Sequence, residues 1–84
     1  MTAPELIRYN LERLIAADGR DLVDIAVAAW PVPDGATADQ TWRHVETARQ
    51  RLLRARKSGA ARHLAGLARA LGCKLEAFLR EPAN

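Results

Sequence analysis

Apolar residues recur at helical spacing along most of the chain, and this pattern constrains the fold more than any other feature. In the first segment the apolar stripe consists of Leu6, Ile7, Leu11, Leu14 and Ile15. β-Branched residues do not alternate with polar ones over any useful stretch, so the sequence has no strand signal. A chain of 84 residues can form only one hydrophobic core. The sequence therefore predicts an all-α fold, a single domain over residues 1–84 built as a compact bundle of about five helices.

Local signals predict where the first two helices begin and end. Thr2 and Glu5 have the spacing of a capping box, and Gly19 is suited to end the first helix. Asp21 is predicted to cap a short second helix, which must stop near Trp30 because a proline follows it. The predicted inward residues of this second helix are Leu22, Ile25, Ala26 and Ala29. Residues 31–35 (Pro-Val-Pro-Asp-Gly) are rich in turn formers and predict an internal loop.

A long third helix is predicted from Thr37 or Asp39 to about Lys57, where Ser58 and Gly59 interrupt the pattern. Its predicted inward residues are Thr41, Val45, Ala48, Leu52 and Ala55. The fourth helix is predicted to turn Leu64, Leu67, Ala68 and Leu71 inward and to end at Gly72. A short last helix is predicted to bury Leu75, Phe78 and Leu79.

The charges of the chain are distributed unevenly. Residues 1–40 contain three Arg and seven Asp or Glu, a net charge of −4, whereas residues 41–84 contain ten Lys or Arg and three Glu, a net charge of +7. Residues 41–62 alone hold seven basic residues and one acid. Such a segment is typical of a surface that binds a polyanion. The alternative is an arginine-rich face that is merely solvated or that pairs with the acidic half.

Several classes of protein are not indicated. His44, His63 and Cys73 lack the paired spacing of metal ligands, so we expect no metal and no cofactor, and Cys73 is expected to fill a small apolar pocket. No catalytic set or phosphate loop is visible, so we expect no enzyme. The lone cysteine, the lack of a membrane-spanning apolar run and the lack of a signal-peptide pattern favour a cytoplasmic protein.

Two separated stretches share an order of residues with a known family. The first is Ile7–Leu14, which contains the pair Asn10-Leu11, followed by Gly19 and by Asp24-Ile25-Ala26. The second is Leu64–Cys73, followed by Leu75 and Phe78-Leu79. This order resembles the lambda-repressor-like (Xre/Cro-type) helix-turn-helix family. The resemblance implies DNA binding by a phage- or plasmid-type regulator, and it implies a homodimer on a two-fold symmetric operator.

The chain departs from that family between its two matching stretches. Trp30 and the Pro-rich loop replace the usual small turn, and the long helix 39–57 takes the place of the short recognition helix. The family usually has Ser-Gln at the start of helix two, whereas this chain has Asp21-Leu22. A carboxylate at that point would repel DNA phosphate, which shifts the expected contact toward the basic third helix.

We therefore predict a sequence-specific, DNA-binding transcriptional regulator, a repressor-type protein with double-stranded DNA as its partner. The residues predicted to contact DNA are Arg43, Thr47, Gln50, Arg51, Arg54, Lys57 and Arg62. Arg and Gln side chains are suited to reading base edges in the major groove. Contacts to the flanking phosphates are predicted for Arg49, Arg51, Arg56 and Arg62.

An alternative is a protein-interaction module on the same scaffold, such as an antirepressor or a small phage inhibitor of a host machine. The altered start of helix two and the enlarged loop favour this alternative. Trp30 and Trp42 flank the loop, either as clamps on the core or as exposed anchors of a dimer or partner interface. We expect Trp42 to be the more structural of the two, because it opens a long amphipathic helix, and Trp30 to lie nearer the surface.

Overall fold

In a computed structural model of the protein, which describes residues 1–82, the chain forms four α-helices and two short 3₁₀ segments. The helices are α1 (Ala3–Asp18), α2 (Leu22–Ala29), α3 (Ala38–Ser58) and α4 (Leu64–Leu71). The 3₁₀ segments are Ala61–His63 and Leu75–Leu79. No strand occurs in residues 1–82, so the all-α prediction is confirmed. Residues 83–84 of the predicted domain lie outside the described part.

The ends of α1 form as the sequence predicts. The Thr2 hydroxyl accepts a hydrogen bond from the Glu5 backbone N–H at 3.3 Å, and the Glu5 carboxylate accepts one from the Thr2 backbone N–H at 3.2 Å. Gly19 ends the helix in the left-handed conformation, with φ of 80°. The inward side of α1 is as predicted, with Leu6, Ile7 and Leu11 buried and Leu14 and Ile15 half-buried.

The start of α2 differs in two ways from the prediction. The helix begins directly after Asp21, but the Asp21 side chain makes no capping hydrogen bond. Leu22 was expected to face inward, whereas 38% of it is exposed. The first turn of α2 lies at the edge of the core beside Leu53 of α3, so the core begins only one turn later, at Ile25. Trp30 leaves the helical conformation and ends α2 as expected.

The long helix α3 packs against α1 and α2 through the predicted residues. Ala48, Leu52 and Ala55 are buried, and Thr41 and Val45 are half-buried. Thr37 and Gln40 form a second reciprocal capping box at its start, which the sequence analysis did not identify. Gly59 ends the helix with φ of 65° and lies against the Pro4 carbonyl, with which any Cβ atom at position 59 would collide.

The prediction of a short fifth α-helix near the C-terminus is wrong. Residues Leu75–Leu79 form a 3₁₀ segment that packs mainly against α1. Phe78 is fully buried, but half of Leu75 and half of Leu79 are exposed, because so short a segment presents one side to α1 and leaves the others in water. The side-chain amide of Asn10, which is also buried, bonds to the backbone of this segment.

The buried residues form one contiguous hydrophobic cluster. It contains residues of all four α-helices together with Phe78. Helix α2 packs against both α3 and α4, and its residues Ile25, Ala26 and Ala29 are fully buried. One side of α3 is therefore held by the core, while its opposite side faces solvent.

Candidate nucleic-acid interface

Six of the residues predicted to contact DNA lie on the solvent side of α3, away from Ala48, Leu52 and Ala55. We call this set the basic face of α3, and it comprises Arg43, Thr47, Gln50, Arg51, Arg54 and Lys57. All of them are exposed except Gln50 and Arg51, which are half-buried. Arg62, the seventh predicted residue, is exposed on the 3₁₀ segment that follows α3. The helix is long enough to carry the face because no helix-ending residue interrupts it between its capping box at Thr37 and its C-cap at Gly59.

A shallow groove runs along most of the basic face. Its volume is about 540 Å³, and its lining consists of Trp42, Arg43, Glu46, Thr47, Gln50, Arg51 and Arg54. Five of the predicted DNA contacts are thus brought together, whereas Lys57 and Arg62 lie outside the groove. From Trp42 to Arg54 the helix rises by about 18 Å, which exceeds the width of a DNA major groove.

Most cations of this surface have no carboxylate partner within residues 1–82. Arg51, Arg54, Lys57 and Arg62 form no ion pair in that range. Arg43 lies 3.9 Å from Asp39, a long contact between two exposed side chains that contributes little. Their positive charges are therefore available to an external anion.

The other flank of α3 is neutralised. The Arg49 guanidinium bonds to Glu46 at 2.7 Å, and the Arg56 guanidinium bonds to Glu12 of α1 at 2.7 Å. Pairing with Glu12 raises the pKa of Arg56, and pairing with Arg49 lowers the pKa of Glu46. Arg49 and Arg56 were expected to hold flanking phosphates. The structure instead places them beside α2, where they line a separate groove.

The expected roles of the two tryptophans are reversed. Trp42 is 69% exposed, because it lies on the outward side of α3 in turns that extend past the core. Trp30 is half-buried and packs against the core. Its indole covers Gly66 of α4, where an added Cβ atom would come within 3.1 Å of the Trp30 Nε1 atom. Trp30 is therefore the clamp, and Trp42 is the exposed aromatic side chain beside the basic face.

Trp30 also contacts two side chains that the sequence analysis did not connect with it. The Arg51 guanidinium carbon lies 5.9 Å from the centroid of the indole, a cation–π contact. The His63 ring meets the indole edge to face, with centroids 5.5 Å apart and an interplanar angle of 85°. No local pattern links positions 30, 51 and 63, since only the packing of the helices brings them together.

Two titratable side chains near the core, His63 and Cys73, have pKa values that differ from their ordinary ones. Burial lowers the pKa of His63, and the nearby guanidinium groups of Arg51, Arg62 and Arg54 lower it further. Burial raises the pKa of the Cys73 thiol, which is half-buried against the core, as expected for a residue that fills an apolar pocket. The neutral form of His63 is therefore favoured, and the ring lies among cations.

Comparison with protein-family models, with curated proteins and with solved structures gives no match. No helix in residues 1–82 is both long and apolar enough to cross a bilayer. The same residues include no group of three or more His, Cys, Asp or Glu side chains that could hold a metal ion. Function is therefore inferred from the chemistry of the basic face of α3.

Proposed function

We propose that this protein is a sequence-specific DNA-binding regulator of the phage or plasmid repressor type, a helix-turn-helix variant in which α3 enters the major groove. One observation carries the proposal. Arg51, Arg54 and Lys57 share one exposed side of a single helix with Gln50, and none of the three cations is paired within residues 1–82. A helix of 21 residues is about 31 Å long, so it can follow the groove over several base pairs.

The side chains of the basic face suit the two tasks of a DNA-binding helix. Arginine can donate two hydrogen bonds to guanine, and glutamine can pair with the edge of adenine. We assign base reading to Thr47, Gln50 and Arg54, which line the groove along α3. Lys57 and Arg62 lie beyond the groove toward the end of α3, and we assign them to backbone phosphates.

The acidic start of α2 supports an orientation in which DNA approaches the basic face of α3. Asp21 and Asp24 are exposed and would repel phosphate, so DNA is expected to stay away from this end of α2. The side of α3 that faces the start of α2 carries Leu53 and the paired Arg49. The unpaired cations lie on the other side, where an approaching duplex would not meet these carboxylates.

We also propose a homodimer, as the family resemblance implies. Leu75 and Leu79 are half-exposed and line a groove of about 460 Å³ with Leu64 and two alanines, and the charged side chains of Arg62 and Glu76 also border it. An apolar surface of this kind is favourable to cover with a second copy. Sedimentation tests this point, since Leu75→Ser with Leu79→Ser should abolish self-association while leaving the monomer folded.

The test of DNA binding is a mobility-shift titration with a random-sequence duplex at several salt concentrations between about 50 and 200 mM. Four unpaired cations predict a log–log slope of about −4, since each neutralised phosphate contributes about −0.9. The double variant Arg51→Gln/Arg54→Gln should reduce the magnitude of the slope by about 2.

The matched control is Arg49→Gln/Arg56→Gln, which removes the same charge from the same helix. Because these two arginines are already paired with carboxylates, the control should leave the salt slope nearly unchanged, although the unpaired Glu46 carboxylate in the groove should lower the affinity itself. A slope near zero for the parent protein, or equal effects of the two double variants, would exclude the basic face as the DNA contact.

A protein-interaction module is the second candidate, and one observation favours it. Leu22, Val23 and Leu53 are exposed and line a groove of about 440 Å³ between the start of α2 and α3. Exposed apolar clusters often mark protein partners. If duplex DNA does not bind even at low salt, this groove becomes the leading candidate site.

A further inference from the structure

Arg51 and His63 are held against the same side chain. Arg51 lies over the Trp30 ring at 5.9 Å, and the His63 ring meets the indole at 5.5 Å. Both residues are half-buried, so neither swings as freely as an exposed arginine or histidine. The indole therefore acts as a shared support for two nitrogen-bearing groups at the edge of the basic face.

The indole is itself fixed from several directions. The Trp30 backbone N–H donates to the Ala26 carbonyl at 2.9 Å, and the Trp30 carbonyl lies 3.0 Å from the His44 Nε2 atom. Gly66 leaves room for the ring, because a Cβ atom there would approach the indole nitrogen to 3.1 Å. A support held in this way reduces the conformational entropy that Arg51 must lose when it binds an anion.

The charged groups that face His63 are all cationic. Arg51 and Arg54 face it from α3, and Arg62 faces it from its own 3₁₀ segment. Helix α4 carries a single charged side chain, Arg69, which turns toward the Ala29 carbonyl at 3.5 Å. Glu76 of the C-terminal segment lines a separate groove with Arg62 and forms no ion pair with it. The cluster has positive charge without a compensating anion.

We propose that Arg51 and His63 form a binding site for one backbone phosphate of bound DNA, with Trp30 as the positioning residue and Arg62 adding positive charge nearby, and that His63 takes up a proton when the phosphate binds. The inference rests on the proposed function and specifies how one part of the interface works. The proton comes from solvent and adds to the free imidazole nitrogen, while the phosphodiester keeps its single negative charge. The imidazolium then donates a hydrogen bond that the neutral ring, depending on its tautomer, does not supply.

The direction of the linkage follows from the surroundings of His63. In the free protein, burial and three guanidinium groups hold the pKa of His63 below its ordinary value. A bound phosphate opposes those positive charges and raises the pKa of His63. Between the two pKa values, binding takes up one proton. The association constant for DNA therefore rises as pH falls, with a limiting slope of one decade per pH unit.

The experiment measures duplex affinity between about pH 5.5 and 8 at constant low ionic strength, where histidine is the side chain that titrates. We expect the parent protein to bind about 3- to 10-fold more tightly at the low end. His63→Gln should lose this dependence. His44→Gln, which removes the other histidine near Trp30, should keep it. Equal pH dependence in the parent and in His63→Gln would overturn the inference.

A second measurement separates this inference from the proposed function. The titration of the His63 ring is followed by NMR in the unaltered protein, first with sodium chloride and then with sodium sulfate at matched ionic strength. A higher pKa in sulfate supports the anion site, even if duplex DNA does not bind and the proposed function fails. Duplex binding without any rise in the pKa of His63 overturns the site while leaving the proposed function standing. If neither DNA nor sulfate raises the pKa, the site is also excluded.

The positioning role of Trp30 is tested by its aromatic replacement. Trp30→Phe keeps an aromatic face under Arg51, whereas Trp30→Leu removes it. We expect Arg51→Gln to weaken DNA binding about tenfold in the parent and Trp30→Phe backgrounds, and about twofold or less in the Trp30→Leu background. Melting curves for each variant exclude loss of folding. An unchanged effect of Arg51→Gln in the Trp30→Leu background would show that the indole does not position the arginine.

Discussion

The side-chain amide of Asn10 donates a hydrogen bond to the carbonyl oxygen of Phe78 at 2.9 Å, joining the first helix to the last described segment. The same Nδ2 atom lies 3.0 Å from the Leu6 carbonyl oxygen and 2.9 Å from that of Arg80. An amide nitrogen has two hydrogens for these three acceptors, so one hydrogen is shared between two carbonyl oxygens. Asn10 is 1% exposed, and the C-terminal segment therefore depends on a polar group within the core.

Asn10→Ala should lower the free energy of unfolding by about 2–3 kcal/mol, because buried carbonyls lose their donor. Urea denaturation measures the change. The control is Arg13→Ala, which removes only a long, partly exposed hydrogen bond to the Asn10 Oδ1 atom and should cost less than about 0.5 kcal/mol. Similar losses for the two variants would contradict the central role of the amide.

Gly59→Ala should be far more damaging than the same change at Gly72. Both glycines end a helix with positive φ, 65° and 67°, so each alanine suffers backbone strain of about 1–2 kcal/mol. Only at Gly59 would the added methyl group also collide with the Pro4 carbonyl, since no atom lies within 4 Å of a Cβ at Gly72. We expect a loss of about 3 kcal/mol or more for Gly59→Ala, measured by thermal unfolding. Equal losses of stability for the two variants would show that α1 moves aside and relieves the collision with the Pro4 carbonyl.

Trp30→Ala and Trp42→Ala should separate stability from surface function. Trp30 packs against the core, and its loss should cost about 2–4 kcal/mol. Trp42 is 69% exposed, and its loss should change the free energy of unfolding by less than about 0.5 kcal/mol. If Trp42 contacts DNA or a second copy, Trp42→Ala will weaken that association in a mobility-shift or sedimentation assay. The opposite order of stabilities would contradict the packing described for Trp30.

Gln50→Ala and Arg54→Ala should relax base preference at particular positions of a selected operator, by about 1–3 kcal/mol each. Arg62→Ala should instead weaken binding to all sequences about equally, because phosphate contacts do not read bases. Binding each variant to a library of single-base operator changes measures the difference. Uniform weakening by all three variants would mean that α3 contributes charge alone.

Lower pH should destabilise the free protein through His63. Its folded pKa lies below the ordinary value of 6.5, so the unfolded chain binds the proton first as pH falls. The contribution of the neutral His63 ring to the free energy of unfolding is fully present above the pKa of the unfolded chain. It is lost as pH falls through the pKa of the folded protein. His63→Gln should reduce the change of the denaturation midpoint between about pH 5 and 8, while His44→Gln should leave that pH dependence in place. Carboxylates with lowered pKa values, such as Glu5 and Asp18, lose their contribution only in more acidic solution.

Local chemistry in the sequence predicted the helix boundaries well. The Thr2 and Glu5 capping box, the proline after Trp30 and the glycine at position 59 act within a few residues, so their effects could be read without knowledge of the fold. The periodic apolar positions of α1 and α3 likewise identified the buried sides of these helices. In each case the residues that determine the helix end or the buried side lie within one or two helical turns of one another.

Features that depend on distant parts of the chain were missed or assigned wrongly. Leu22 and Leu79 follow the apolar pattern but lie at the edges of the core, which no local pattern defines. Trp30 is half-buried because Gly66, 36 positions later, leaves room for its ring. The pairing of Arg56 with Glu12 likewise depends on how α1 and α3 cross. The basic face of α3 was identified from the sequence, and the pairing of Arg49 with Glu46 lies within one helical turn, but the pairing of Arg56 could be learned only from packing.

The fully buried residues of α3, Ala48, Leu52 and Ala55, lie at its midpoint and in its C-terminal half. The turns that carry Trp42 and Arg43 have no such anchors, so their backbone amides should exchange with solvent faster than those around Leu52. The basic face spans both regions of one continuous helix. A ligand that contacts all of it would have to suppress local opening near Trp42, and hydrogen exchange would then record binding most strongly at residues that contribute least to the core.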